Sequence, residues 1–172
     1  MRIGQAIPVL LLCLFLVPHP ALAEDALPAP GKDGAVLIFY WQDCPICNSY
    51  APEINRICAA YTNFAFYIVQ VDPDLTQSGA DKHAKDYLLR PAVLLDGKHR
   101  LAKRVGATIT PEAVVFGKKK NVLYRGRIDN LYASLNQRRA VATEHDLRDA
   151  LDAIAAGRPI KAQWPATGCL IQ

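Results

Sequence analysis

Apolar and polar positions along the chain change period several times, and each change marks an element. AVLIFYW (Ala35–Trp41) is a continuous apolar run, as expected of a strand buried on both faces. After it the period becomes helical. Cys47, Tyr50, Ile54, Ile57, Cys58 and Tyr61 fall on one face of a helix from about Cys44 to Tyr61, with Pro52 inside as an expected kink. FAFYIVQVD (Phe64–Asp72) predicts a second buried strand. ADKHAKDYL (Ala80–Leu88) predicts a short helix, and PAVLLD (Pro91–Asp96) a third strand closed by an Asp-Gly turn. HRLAKRVG predicts a helical turn or two ending at Gly106, and EAVVFGKKKNVLYRGRI a hairpin about Gly117–Asn121. The last helix is read from Thr143 to Ala156. Leu147, Ala150, Leu151 and Ile154 form its inner stripe, Thr143 and Asp146 resemble a capping box, and Gly157 and Pro159 stop it.

Strands alternating with helices, then a hairpin and a closing helix, predict an α/β sandwich with a mixed central sheet. The 172 residues suit one domain. Its ends lie outside that domain. Residues 1–23 read as a signal peptide: a positive MRIG, the apolar IPVLLLCLFLV and an A-x-A site at Ala21–Ala23. Retention as a membrane anchor is the alternative. Cys13 sits inside the apolar run and lacks the surroundings of a lipidation site. Residues 24–34 are a polar leader rich in proline and glycine. The domain itself spans 35–157, and 158–172 form an irregular tail. Export with cleavage predicts a periplasmic or secreted protein in an oxidising compartment. The net charge of +4 is weak and spread out, which argues against a nucleic-acid partner.

The candidate chemistry lies in FYWQDCPICNSYAP (Phe39–Pro52). A cysteine at a helix start meets unsatisfied backbone N–H groups and the positive end of the helix dipole. Both favour the thiolate, the nucleophile of thiol–disulfide exchange. A second cysteine one turn on can close a disulfide and release a mixed-disulfide partner. Cys44 is therefore the candidate nucleophile, expected to be the more exposed of the pair, and Cys47 the resolving thiol. A zinc site would need more ligands than this pair, and His83, His99 and His145 fall on separate elements, so no metal is expected. A haem attachment would need histidine where Asn48 stands. A purely structural disulfide remains open.

The segment resembles the active site of the thioredoxin superfamily: an aromatic strand end, C-x-x-C, then Ala51-Pro52. VGATITPEAVVF (Val105–Phe116) is similar to that family's approach to its cis-proline, so Thr110 and Pro111 are expected to face the cysteines through a cis bond and to bind substrate backbone. The longer stretch from about Pro73 to Arg100, with CPICNSYAPE, TPEAVVF and YRGRIDN, resembles the exported redoxin branch, which includes alkyl hydroperoxide reductases and thiol-specific antioxidants. The resemblance implies a thioredoxin-like three-layer sandwich with a βα-type insertion before the cis-proline. It also implies a thiol–disulfide oxidoreductase that exchanges disulfides with proteins and needs no cofactor. A membrane electron donor is implied if the protein works as a reductase. One departure is Ile38, which stands where thioredoxins bury an acid beneath the pair. Two other readings stay open. One is a peroxiredoxin-like thiol peroxidase, although Tyr40 and Trp41 replace the residues expected before its cysteine. The other is a non-enzymatic redoxin-fold adaptor for a membrane or haem-protein partner. The sequence is silent on oligomeric state.

Several residues carry smaller expectations. Arg125 and Arg127 read as solvated strand residues, the alternative being the arginine that peroxiredoxins place near their reactive thiolate; Lys118–Lys120 reads as a soluble hairpin tip and His145 as a surface residue. Trp164 is either a docking anchor or a partner contact. Cys58 lies about 16 Å along the helix from Cys47 and should be a buried, inert hydrophobe. Cys169, near the end of the tail, reads as a free thiol, a staple to Cys58 or a contact with another protein. A link from Cys169 to Cys44 would instead make the tail a resolving arm.

Overall fold

The computed structural model describes residues 30–172, so the signal-peptide and cleavage readings and most of the leader lie outside the described residues. Strand β1 (Gly34–Tyr40) is buried along its whole length, as its unbroken apolar run requires. It lies at the centre of a five-stranded mixed sheet. β2 (Phe64–Gln70) pairs with it in parallel, and β3 (Ala92–Leu95) lies parallel outside β2. On the other side β5 (Glu112–Phe116) runs antiparallel to β1, and β6 (Val122–Gly126) pairs with β5 through the expected hairpin.

Alternation along the strands divides the core into two clusters. Val36, Ile38 and Tyr40 face helix α1 (Pro45–Ala60) and helix α4 (Asp146–Ala155), meeting Ile46, Tyr50, Ile54, Ile57, Leu147 and Leu151. Ala35, Leu37 and Phe39 point the other way, towards Leu101, Ala102 and Val105 of helix α3 (Arg100–Val105). This is the three-layer α/β sandwich expected. Each large core side chain contributes roughly 1.5–3 kcal/mol by burial, so the two layers fix the strand ends firmly. Helix α2 (Gln77–Asp86) and strand β3 form the unit inserted between β2 and the Thr110–Pro111 bond.

Some local expectations are corrected. α2 begins earlier than its apolar pattern suggests, because Thr76 caps it by accepting from the Gly79 N–H at 3.2 Å. α4 begins at Asp146, with His145 as a cap that makes no side-chain bond. No capping box forms at Thr143. Asn130 Oδ1 accepts from the Thr143 and Glu144 N–H groups, and Asn130 Nδ2 donates to Thr143 Oγ1, so this segment is tied to the loop instead. Gly106 ends α3 with φ of 74°, a left-handed conformation that suits glycine. Pro52 lies inside α1, which continues through it. A short ladder joins β7 (Tyr132–Ser134) to β8 (Gln137–Arg138). The tail is irregular only as far as residue 168. Cys169–Leu170 forms β9, antiparallel to β4 (Ile109–Thr110). No described helix is long and apolar enough to cross a membrane.

Candidate active site

The end of β1 and the start of α1 place the cysteine pair. Cys44 caps α1, with Pro45 in the first turn, where a missing N–H is no loss. The Cys44 N–H donates to Trp41 O at 3.0 Å, and Asn48 N–H to Cys44 O at 3.1 Å, closing the first helical turn. Asn48 then braces the loop from within the helix. Its Nδ2 donates to Gln42 O at 2.8 Å, and its Oδ1 accepts from Tyr40 Oη at 2.9 Å. His83 Nε2 lies 3.0 Å from the same Oδ1, so it carries the proton, which leaves Nδ1 to accept from Gln70 Nε2 at 3.4 Å. Burial lowers the His83 pKa, consistent with this neutral ring. His83 is thus a brace for the active-site loop, a role its sequence position gave no hint of.

The two thiols are tuned in opposite directions. Cys44 is brought down to about 5, chiefly by the hydrogen bond from Cys47, against burial, with a further hydrogen bond from Cys169. Cys47 is pushed well above the ordinary thiol range, first by burial and then by its bond to the Cys44 sulfur. An attacking thiolate beside a protonated partner is the asymmetry that disulfide exchange requires. Ile38 lies in the core beneath the pair, so no acid occupies that position.

The Thr110–Pro111 bond is cis, as expected. Thr110 O lies 3.6 Å from Cys44 Sγ, which brings the two halves of the motif together. Glu112, just beyond, is buried despite its charge. Its Oε2 accepts from the Thr108 N–H at 2.8 Å and more weakly from the Ile109 N–H at 3.4 Å, and its carboxylate faces Arg125 at 3.8 Å. Sequence reasoning passed over Glu112. The signal was a lone acid opening an otherwise apolar strand run.

Two expectations fail here for one reason. Cys44 is not the exposed thiol; both cysteines have no accessible surface. The C-terminal tail covers the site. Cys169 is not a staple to Cys58; it is unbridged, as the free-thiol reading has it and like the other three described cysteines, but it lies in the site, with its Sγ 2.6 Å from Cys44 Sγ. Its pKa is pushed up to about 12, first by desolvation and then by the bond to Cys44. Cys58 packs against the α1 side of the core, half-buried. Arg127 is not solvated either. It pairs with Asp146 at 2.7 Å and with Glu144, and stacks over the Trp164 ring at 5.6 Å. Arg125 donates to Gly106 O. Trp164 is a docking point for the tail, since its carbonyl accepts from the Arg127 N–H at 3.0 Å. Among the described residues, no group of three or more His, Cys, Asp or Glu side chains is arranged to hold a metal ion.

With this geometry in view, similarity to known proteins is informative. The family model described as AhpC/TSA matches residues 24–125, more than half of the chain. The chain belongs to the AhpC/TSA family. No curated protein matches the sequence. Among solved structures, an uncharacterised conserved protein from Geobacillus kaustophilus is 26% identical, with a TM-score of 0.73 over 83% of this chain and 78% of that one. A hypothetical protein from Sinorhizobium meliloti is 23% identical, with a TM-score of 0.66 over 86% and 80%. A putative thioredoxin from Neisseria meningitidis is 22% identical, with a TM-score of 0.55 over 73% and 77%. These likenesses establish a thioredoxin-like fold for this AhpC/TSA member, and its own residues must carry the argument about chemistry.

Proposed function

We propose that the protein is an exported thiol–disulfide oxidoreductase acting on protein substrates, with Cys44 as nucleophile and Cys47 as resolving thiol. The observation that carries this reading is geometric: Cys44 stands at the start of α1 with Cys47 one turn on, and the backbone of the cis Thr110–Pro111 pair lies 3.6 Å from Cys44 Sγ. The opposed tuning of the two thiols, Cys44 down to about 5 and Cys47 well up, agrees with it. At neutral pH Cys44 is a thiolate and attacks a substrate disulfide sulfur. The substrate's leaving sulfur takes the electron pair, and a mixed disulfide forms. Cys47 then loses its proton and attacks Cys44 Sγ, which forms the Cys44–Cys47 bond and frees the second substrate thiol. In the opposite direction the Cys44–Cys47 disulfide oxidises a substrate dithiol. The backbone of Thr110 and Pro111, beside Cys44, is the edge on which an extended substrate segment pairs as an added strand, in place of the β9 segment that occupies it in this structure.

AhpC/TSA membership keeps a thiol peroxidase in view, but the arginines argue against it. Arg127 is engaged by Asp146 and Glu144, and Arg125 by Gly106 and Glu112, whereas the groups that act on the Cys44 sulfur are Cys47, Cys169 and the Thr110 carbonyl. The residues before Cys44 support export only through the sequence reading of positions 1–23. The test is reduction of a disulfide-bonded model protein by the dithiol form. Cys44→Ser should abolish exchange and Cys47→Ser should accumulate mixed disulfides. Full exchange by Cys44→Ser, or hydrogen peroxide consumption faster than disulfide exchange, would refute the assignment.

A further inference from the structure

The site's substrate edge is already filled by the chain itself. β9 pairs with β4 so that Thr110 faces Cys169 and Ile109 faces Leu170. Thr110 Oγ1 donates to Cys169 O at 3.3 Å, and the Ile171 N–H donates to Thr108 O at 2.9 Å. Ile171 packs against the α3 side of the core. Gly168 shows how close the approach is: a Cβ there would come within 1.9 Å of Thr110 O, so a side chain at 168 cannot be accommodated. These contacts deliver one group to the reacting sulfur, the Cys169 thiol at 2.6 Å.

We propose that the segment Gly168–Ile171 is an internal substrate strand and that Cys169 is a third redox residue that exchanges disulfides with Cys44. The inference rests on the proposed Cys44–Cys47 chemistry and adds a step to it. In the oxidised protein the Cys169 thiolate attacks Cys44 Sγ of the Cys44–Cys47 disulfide. A Cys44–Cys169 bond forms, the Cys44–Cys47 bond breaks, and Cys47 takes the electron pair and then a proton. The step is an isomerisation with no net oxidation. A substrate thiolate then attacks Cys169 Sγ, Cys44 leaves as the stable thiolate, and the substrate is held on Cys169 until a second substrate thiol releases it as a disulfide. The Cys169 thiol hydrogen-bonds to the Cys44 thiolate in the reduced protein, so the same contact also shields that thiolate. In this account the disulfide presented to a partner lies on a strand near the C-terminus, outside the buried pair.

The test uses the full chain as Cys47→Ser, oxidised with glutathione disulfide in the presence of millimolar reduced glutathione and mapped by mass spectrometry without reduction. A docked intramolecular thiol has an effective concentration well above that of the free competitor. The Cys44–Cys169 disulfide should therefore exceed Cys44–glutathione by roughly tenfold or more. Adding Gly168→Val, which keeps every cysteine but removes the close approach, should bring that ratio to about one or below. Cys44–glutathione predominating in Cys47→Ser with an intact tail, or an unchanged ratio in the Gly168→Val form, would overturn the proposal. Wild-type assays separate the two readings. If wild type reduces a model disulfide and forms Cys44–Cys47 while Cys169 never links to Cys44, only the third redox residue fails. If Cys44–Cys47 never forms and wild type is inert, the oxidoreductase reading itself fails.

Discussion

The Cys44 thiolate can be read directly by titrating the reduced protein. With its pKa at about 5, Cys44 carries about ten thiolates per thiol at pH 6, whereas a thiol at the ordinary value of 9.0 carries about one per thousand. The ultraviolet thiolate absorbance of the reduced chain should therefore rise in one step centred near pH 5, and that step should vanish in Cys44→Ser. Cys47, Cys58 and Cys169 are all raised above the ordinary thiol value, so none of them contributes to this step. The causes predict an order as well. Cys47→Ala should move the midpoint upward more than Cys169→Ala, because the hydrogen bond from Cys47 is the larger support.

The same shift couples to stability with a definite sign. In the unfolded reduced chain Cys44 titrates near the ordinary thiol value, and in the folded chain near 5. Between about pH 5 and pH 9 the unfolded chain therefore binds one proton that the folded chain does not. Stability rises with pH across that window and is lost as pH falls towards 5. Comparison with reduced Cys44→Ser by urea unfolding isolates the contribution from that of His83, whose lowered pKa acts in the same direction below about pH 6.5. The difference should slope by up to about 1.4 kcal/mol per pH unit. A flat difference, or an absorbance midpoint near 8.5, would show that the Cys47 and Cys169 bonds do not stabilise the thiolate.

Other outcomes follow from the same contacts. The Cys44–Cys47 couple should have a potential between those of a reducing thioredoxin and a strong oxidant such as DsbA, roughly −270 to −120 mV, since its thiolate is intermediate in stability; equilibration with glutathione measures it, and a lower value would contradict the thiolate's tuning. Tyr50 Oη donates to the buried Asp129 carboxylate at 2.6 Å, so Tyr50→Phe should destabilise by about 1.5–3 kcal/mol in urea unfolding. Glu112→Ala strips the Thr108 N–H of its acceptor and should lower stability by about 1–3 kcal/mol while speeding amide exchange at residues 108–110. Cys58→Ala should leave the redox potential unchanged and destabilise only by its lost packing, as unfolding in both redox states would show.

What the sequence made legible was set by pattern length. β1, α1, β2 and the β5–β6 hairpin each rest on a period sustained over many residues, and all appear close to their expected limits. The C-x-x-C pair, Ala51-Pro52 and Thr110-Pro111 were legible because short-range chemistry and a family pattern coincide there. The illegible parts depend on distant partners. Nothing near Thr143 in sequence announces that Asn130 will claim its N–H, and nothing in TGCLI reveals that 59 residues upstream Thr110 offers it an edge. Glu112 looks like a strand residue until the Thr108 and Ile109 N–H groups turn towards it. The exposure of Cys44 was misjudged by the same mechanism, because a helix N-terminus is open until another segment covers it.

That cover must also be removable if protein substrates are to reach Cys44, and its composition bears on this. At the site the tail is held by the short β4–β9 ladder, the Ile171–Thr108 bond and the Thr110–Cys169 bond, and Leu170 points into solvent. Net contributions of about 0.5–1.5 kcal/mol per hydrogen bond, with about 1–2 kcal/mol for the partial burial of Ile171, put local opening at roughly 3–6 kcal/mol, below global unfolding. An opening of that size leaves about one molecule in two hundred to one in twenty-five thousand uncovered at any moment. Further back, Trp164 and Arg127 hold the tail to β6, so release of Gly168–Ile171 need not detach the whole segment. Substrate binding at the Thr110 edge then competes with a weak internal strand that is always at hand. Amide exchange should show this as fast protection loss at Ile171 beside slow exchange at Arg127. Equal protection at both would mean that the tail opens only as a unit.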